Sequence, residues 1–249
     1  MARGTKSSAK TVKSRARKAR AAAFYAHPVR SAIRWVSWAI GAVVALYLAL
    51  ILLYAVINPP TTFYILTEAR AQGGVTREWV DLEDMAPVMA RAVVAAEDAN
   101  FCLHWGFDIN AIKAALNEGA NRGASTVTQQ VVKNVFLWHG RSWLRKAMEA
   151  LMTPVVELVW TKRRIVEVYL NVAETGKGMF GAEAAAQTYF GTSAAKLTSR
   201  QAALIAAALP DPKGRNPARP SGFLRKRAAA ISSGAETILA DGRAACFED

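Results

Sequence analysis

Between Trp35 and Ile57 the chain runs for 23 residues, WVSWAIGAVVALYLALILLYAVI, without one charged side chain. About 20 apolar residues in helical form cross the hydrocarbon core of a bilayer. This stretch therefore places whatever precedes it and whatever follows it on opposite sides of a membrane. It is too long for the apolar region of a secretory signal, and no small-residue cleavage pattern follows it. Trp35, Trp38 and Tyr54 lie near its ends, where interfacial aromatics belong. Arg30 and Arg34 press against its start and Asn58-Pro59-Pro60 stop its end. The alternative, a buried core helix, does not account for those borders.

Charge sets the orientation. Residues 1–34 hold ten Lys or Arg and no Asp or Glu, while the rest of the chain carries 22 basic and 19 acidic residues. The net charge of +13 thus belongs to the arm. Such an arm is a solvated segment, and nucleic acid is one partner for it. Beside a membrane span, the anionic headgroups of lipids are the better match. The positive-inside rule puts residues 1–34 in the cytoplasm and residues 58–249 outside it, in a bacterial periplasm or its equivalent. Residues 58–84, with Pro59-Pro60 and Gly73-Gly74, read as linker and lead-in, and 85–249 as one domain. A disulfide between Cys102 and Cys246 is open, but the preferred reading makes Cys102 a small apolar packing residue. No CxxC or Cys/His metal spacing occurs.

The exported part reads as helical. Asp84 suits a cap and Pro87 a first turn, opening a helix that runs to Ala96, apolar nearly all round. Residues 117–124, NEGANRGA, form a loop. STVTQQVVKNVF starts a helix with Thr126 and Gln129 at capping-box spacing. Residues 141–153 make another, with Arg145 and Glu149 one turn apart. Pro154 either kinks it or opens a new helix behind Thr153. KRRIVEVYLN, 181–190, 198–209 (Thr198 with Gln201) and 223–240 are further helices. No alternating stretch is long enough for a strand, so the fold class expected is mainly α.

Three constellations carry chemistry. Glu97 and Asp98 end the apolar helix; a carboxylate desolvated there has a raised pKa and accepts protons near neutrality. Ser125, Thr126, Gln129, Gln130, Lys133 and Asn134 sit at a helix start, where free N–H groups and the positive dipole end suit phosphate. On that helix Gln129 and Lys133 share a face, and Gln130 neighbours Lys133 and Asn134. Arg141, Arg145 and Lys146 form a cationic cluster with one carboxylate, Glu149. Each has a plain reading as solvated helix surface or helix end.

In this order, however, they resemble one family. EDANFCLHWGFD resembles the first motif of the bacterial peptidoglycan glycosyltransferases, GASTVTQQVVKN the second, RKAMEA the third and KRRIVEVYLN the fourth; GAEAAAQTYFG is similar to the segment that follows. The resemblance covers roughly residues 85–240 and is strongest to the monofunctional biosynthetic enzymes. Gln201 stands where relatives often have Glu. Two Ser-x-x-Lys matches, Ser7/Lys10 and Ser193/Lys196, lack the Lys-Thr-Gly element a transpeptidase needs and read as accidental.

The resemblance implies a lysozyme-like fold with a smaller, membrane-facing lobe, and a reaction that polymerises lipid II with release of undecaprenyl pyrophosphate. Glu97 is then the base, with Glu149 as a second catalytic carboxylate near the leaving group. Lys133, Arg141, Arg145 and Lys146 meet the pyrophosphate, aided by the helix start at Ser125 and Thr126. Gln129, Gln130 and Asn134 line the substrate site, and Phe101 and His104 shape it. Asp98 would bind substrate or a divalent cation, magnesium or manganese; no organic cofactor is implied. The partners expected are lipid II and nascent glycan, anionic membrane lipids and cell-division or elongation proteins, and not nucleic acid. A lytic enzyme that cleaves glycan and a non-enzymatic anchored scaffold are the rivals. A cleaving enzyme does not need the cationic cluster.

Overall fold

The computed structural model describes residues 14–15, 17–18, 28–117, 123, 125–140 and 142–248. The chain divides into two units, 1–50 and 51–249. Helix α1 (Pro28–Tyr54) supplies the described part of the first unit beyond a few residues of the arm. Val29–Tyr54 is long and apolar enough to cross a membrane. Its side chains are exposed nearly all round, Trp35 at 64% and Trp38 at 72%. An apolar surface exposed all round is compatible with a membrane anchor. The helix starts before Trp35 because Ser31 and the two arginines tolerate helical geometry. Beyond Tyr54 a turn follows, and Pro59-Pro60 keep the helix from resuming. Two of its last carbonyls, within the second unit, accept from side chains: Trp160 Nε1 donates to Ile51 O (2.7 Å) and Arg164 Nε to Tyr54 O (3.1 Å).

The second unit is mainly α, as expected. Residues 58–84 carry more structure than a linker. Helix α2 (Phe63–Gln72) is capped by Thr62 and closed by Gly73 in the left-handed conformation. Tyr64 and Ile65 bury against Phe180. Strand β1 (Thr76–Arg77) pairs in parallel with β3 (Met179–Phe180), which pairs antiparallel with β2 (Glu174–Gly176). Strands of two or three residues show no alternation, so the sequence carries no signal of this small sheet.

Helix α3 (Pro87–Glu97) has Pro87 in its first turn but Ala86, not Asp84, at its cap position; Asp84 closes a preceding 3₁₀ turn. Helix α4 (Ile109–Asn117) leads into the 117–124 loop, most of which lies outside the described residues. Helix α5 (Val127–Phe136) carries the capping box, with Thr126 and Gln129 each serving the other's backbone. Helix α6 (Trp143–Val159) is continuous through Pro154. The proline and Ala150, whose carbonyl loses its helical donor, are both exposed. Water can satisfy that carbonyl, so the helix neither breaks nor restarts. Helices α7 (Lys162–Val172), α8 (Ala182–Phe190), α9 (Ser199–Ala208) and α10 (Gly222–Ala240) follow, and a short α11 (Ala245–Glu248) ends the chain.

Two groups of helices make the core. In one, α3, α9 and α10 pack mutually, with Ala92, Val93, Ala203, Ala206 and Ala207 letting the backbones approach closely. In the other, α5 packs on both α6 and α7, and α11 lies on α7. The end of α3 is where the two groups meet.

Cys102 and Cys246 are joined as a disulfide, so Cys102 is not the simple packing residue expected. The bond spans 144 residues and fastens α11 to the turn that follows α3. Phe247, fully buried, packs beside Phe101. One pair of cysteines this far apart carries no sequence signal of its pairing.

Candidate active site

Helix α3 delivers Glu97 to the wall of two clefts. One, of about 390 Å³, runs past Asn100, Asp108 and Ser125. The other, of about 400 Å³, is bordered by Gln130, Pro210 and Arg227. Gln130 Nε2 donates to Glu97 Oε2 at 2.8 Å. Burial pushes the Glu97 carboxyl above the ordinary glutamate value; Gln130, Arg227 and Lys133 pull against it, and Asp98 adds to it. A carboxylate poised this way is a proton acceptor closer to neutrality than a solvated one.

Positive charge gathers on α5 and α6. Glu149 is 2% exposed, accepts from Arg145 Nη1 at 2.7 Å, and is also ion-paired with Lys146. Lys146 in turn reaches Ser125 Oγ at 3.3 Å, and Arg145 Nε donates to Gly140 O at 2.9 Å. One buried carboxylate thus holds two cations in place. Lys133 points into a third cavity, of about 230 Å³, with Gln130, Asn134 and Tyr169. Burial lowers its pKa; Glu149 and Glu97 favour its charge, while Arg145 and Lys146 oppose it. Ser125, which Lys146 reaches, borders both clefts with Glu97, and Gln130 borders one of them and the Lys133 cavity, so the two carboxylate clusters share one site. Three cations around one buried carboxylate leave an excess of positive charge, fixed in advance and suited to a polyanion.

Asp98 and its neighbours form the frame. Asp98, 7% exposed, accepts from Val127 N at 3.0 Å and pairs with His104 Nε2 at 2.8 Å. Its charge stabilises the first turn of α5 and ties that turn to the end of α3. Thr126 Oγ1 donates to Gly106 O at 2.7 Å. Gly106 has φ +81°, and a Cβ there would lie 2.5 Å from Thr153 Cγ2, so no other residue fits without movement. Beneath, Glu157 accepts from Thr128 Oγ1 (2.5 Å) and Lys162 Nζ (2.9 Å). Lys162 also donates to His104 O at 2.8 Å and lies over the Phe101 ring.

A buried carboxylate with a raised pKa beside cations fixed in advance is an arrangement suited to displacing an anionic leaving group from carbon. The comparison with known proteins agrees: the family model described as Transglycosylase matches residues 65–236, well over half of the chain. The chain belongs to the transglycosylase family. Among similar proteins, the biosynthetic peptidoglycan transglycosylase of Jannaschia sp. (strain CCS1) is 58% identical over 214 residues, 86% of this chain and 90% of its own. That of Rhodospirillum centenum (strain ATCC 51521 / SW) is 46% identical, covering 82% of this chain and 90% of its own. That of Brucella suis biovar 1 (strain 1330) is 45% identical, covering 77% and 87%. The fold of this transglycosylase domain is lysozyme-like.

Several residue roles in this transglycosylase differ from the sequence expectation. The start of α5 is not free to take phosphate: Asp98 accepts from Val127 N, and Gln129 Oε1 accepts from Thr126 N. Gln129 is consumed by the capping box and buried, so it frames the site and does not line it; Thr126, buried in the same box, still borders the cleft beside Ser125 and Glu97. The face that reaches the cavity is Gln130, Lys133 and Asn134. Phe101 is fully buried beneath His104 and shapes the site from below. Ser125 faces the cleft, as expected. Arg141 lies outside the described residues. Asp98 holds one hydrogen bond on each carboxylate oxygen, from Val127 N and with His104 Nε2, and so anchors the start of α5. Among the described residues no three of His, Cys, Asp and Glu gather as a ligand set. Tyr169 and Arg227, which face Glu97 or its partner, were missed. Tyr169 sits in the quoted KRRIVEVYLN stretch, whereas nothing in the sequence singles out Arg227.

Proposed function

We propose that this site joins sugars of peptidoglycan by inverting displacement at an anomeric carbon, and so polymerises lipid II into glycan strands. Glu97 takes the proton from the C4 hydroxyl of the GlcNAc of one lipid II. That oxygen bonds to C1 of the MurNAc ending the growing chain. The C1–O bond to pyrophosphate breaks, and its electron pair leaves with undecaprenyl pyrophosphate. Attack from the opposite face turns the α-linkage into β. Lys133, Arg145 and Lys146 stabilise the charge that develops on the departing phosphate, and Glu149 keeps two of them aimed.

The observation that carries this reading is the cation cluster held by a buried carboxylate in the same site as the base. Cleavage of an uncharged glycosidic bond develops no such polyanion. The names of the relatives support the biosynthetic direction. Incubation of the full-length protein with purified lipid II should give polymer and undecaprenyl pyrophosphate. Shortened glycan from preformed strands, with lipid II untouched, would instead support the lytic reading.

Helix α1 is a fitting membrane anchor. The reading that goes with it is a single pass through the bacterial inner membrane, with the N-terminus cytoplasmic and the catalytic unit periplasmic. The ten basic residues of the arm support that orientation, and the disulfide suits an oxidising compartment. Exposed Trp105, Leu144, Leu151 and Leu158 support a smaller lobe turned toward the bilayer. Anionic lipids for the arm and division or elongation proteins complete the proposed partners.

A further inference from the structure

We propose that Tyr169 is a positioning residue for the base: its hydroxyl fixes the side-chain amide of Gln130 so that the N–H face always meets Glu97. This rests on the reading of Glu97 as the base. The geometry is a chain of two hydrogen bonds. Tyr169 OH donates to Gln130 Oε1 at 3.2 Å, and Gln130 Nε2 donates to Glu97 Oε2 at 2.8 Å.

An ionised carboxylate only accepts, so Gln130 must offer it Nε2. The amide oxygen then turns back into the protein, where Tyr169 is the donor that meets it. Tyr169 is 2% exposed and stands on α7. Burial, and then the charge of Glu97, hold its phenol well above the usual tyrosine range, so it stays a donor at every working pH. Helix α7 is itself fastened at both ends, by the Thr161 cap and by Asn171, whose side chain bonds both the N–H and the carbonyl of Val80. The amide is therefore oriented from a rigid element that carries none of the reacting groups.

The groups facing Glu97 come from four directions: Gln130 and Lys133 on α5, Arg227 on α10, Asp98 beside it on the chain, and Tyr169 through Gln130. Gln130, Arg227 and Lys133 favour the carboxylate, while burial and Asp98 favour the acid. Phenylalanine at 169 would take from Oε1 of Gln130 the donor that fixes it. The amide is then free to turn its oxygen toward Glu97 and accept a hydrogen bond from the protonated carboxyl, which favours the protonated and inactive base.

The test is the pH dependence of the maximal polymerisation rate on lipid II, measured for the full chain and for Tyr169→Phe. The acid limb should move up by about half to one pH unit. That is a loss of about 3- to 10-fold on the limb itself, with the two profiles approaching each other on the alkaline side. A uniform loss at every pH, as from simple loosening of the core, overturns the proposal. Gln130→Met cuts the chain at its middle and should move the limb the same way. Adding Tyr169→Phe to it should then move the limb no further, and an additional shift in the double variant overturns the proposal. A wild-type profile without an acid limb would remove Glu97 as the base and this proposal with it. A limb that is present but unmoved by Tyr169→Phe overturns the proposal alone.

Discussion

Glu97→Gln should lower polymerisation of lipid II by at least about 10²–10⁴-fold while the protein stays folded. Glutamine has nearly the same shape and can accept the same hydrogen bond from Gln130, but it cannot take the proton of the attacking hydroxyl. Stability should hold or rise. Burial raises the pKa of Glu97 in the folded state. The stabilisation from this group is therefore full at pH values below its unfolded pKa and is lost as the pH climbs through the raised folded value. At neutral pH the wild type thus carries a buried, costly charge that the amide removes. Thermal unfolding near neutrality should show an equal or higher Tm for the variant, with the difference shrinking in acid. Lipid II binding should survive, because the cation cluster is untouched. Loss of stability with undiminished activity per folded molecule would be the opposite pattern, that of a carboxylate serving only to end a helix.

Lys133→Ala should be nearly as damaging for a different reason. The charge of Lys133 is held in place before reaction, in a partly buried setting where it meets both carboxylate clusters. Removing one such preorganised group costs about 10²–10³ in rate, or roughly 2.7–4 kcal/mol of transition-state stabilisation. Folding should tolerate the change, since burial already disfavours the lysine's charge in the native state. Steady-state rates on lipid II together with circular dichroism check both halves. Unchanged turnover would remove Lys133 from the leaving-group site and shift the burden to Arg145 and Lys146.

What the sequence could show depended on distance along the chain. The capping boxes Thr126/Gln129 and Thr198/Gln201 and the Arg145–Glu149 pair span three or four residues, and all are in place. The same locality misled at α5. Helical spacing put Gln129 and Lys133 on one face, yet the capping box turns Gln129 into the protein and leaves Gln130 to meet Glu97. The free helix start expected for phosphate is filled by Asp98, a residue 29 positions away from Val127. No local pattern announces a contact of that length. The Cys102–Cys246 bond, the Tyr169–Gln130–Glu97 chain and the approach of Arg227 from α10 are long-range in the same way. They exist because α3, α5, α7 and α10 converge, and only the packed fold brings them together.

The central claim is that a buried glutamate at the end of α3 is the base of a glycosyl transfer. The most direct measurement is the polymerisation rate at saturating lipid II across pH, for wild type and Glu97→Gln in parallel. The rate of the wild type should fall in acid through one ionisation lying above the ordinary glutamate value, and that limb should vanish from the residual activity of the variant. A variant that keeps the same limb, or that polymerises lipid II at close to the wild-type rate, would contradict the assignment.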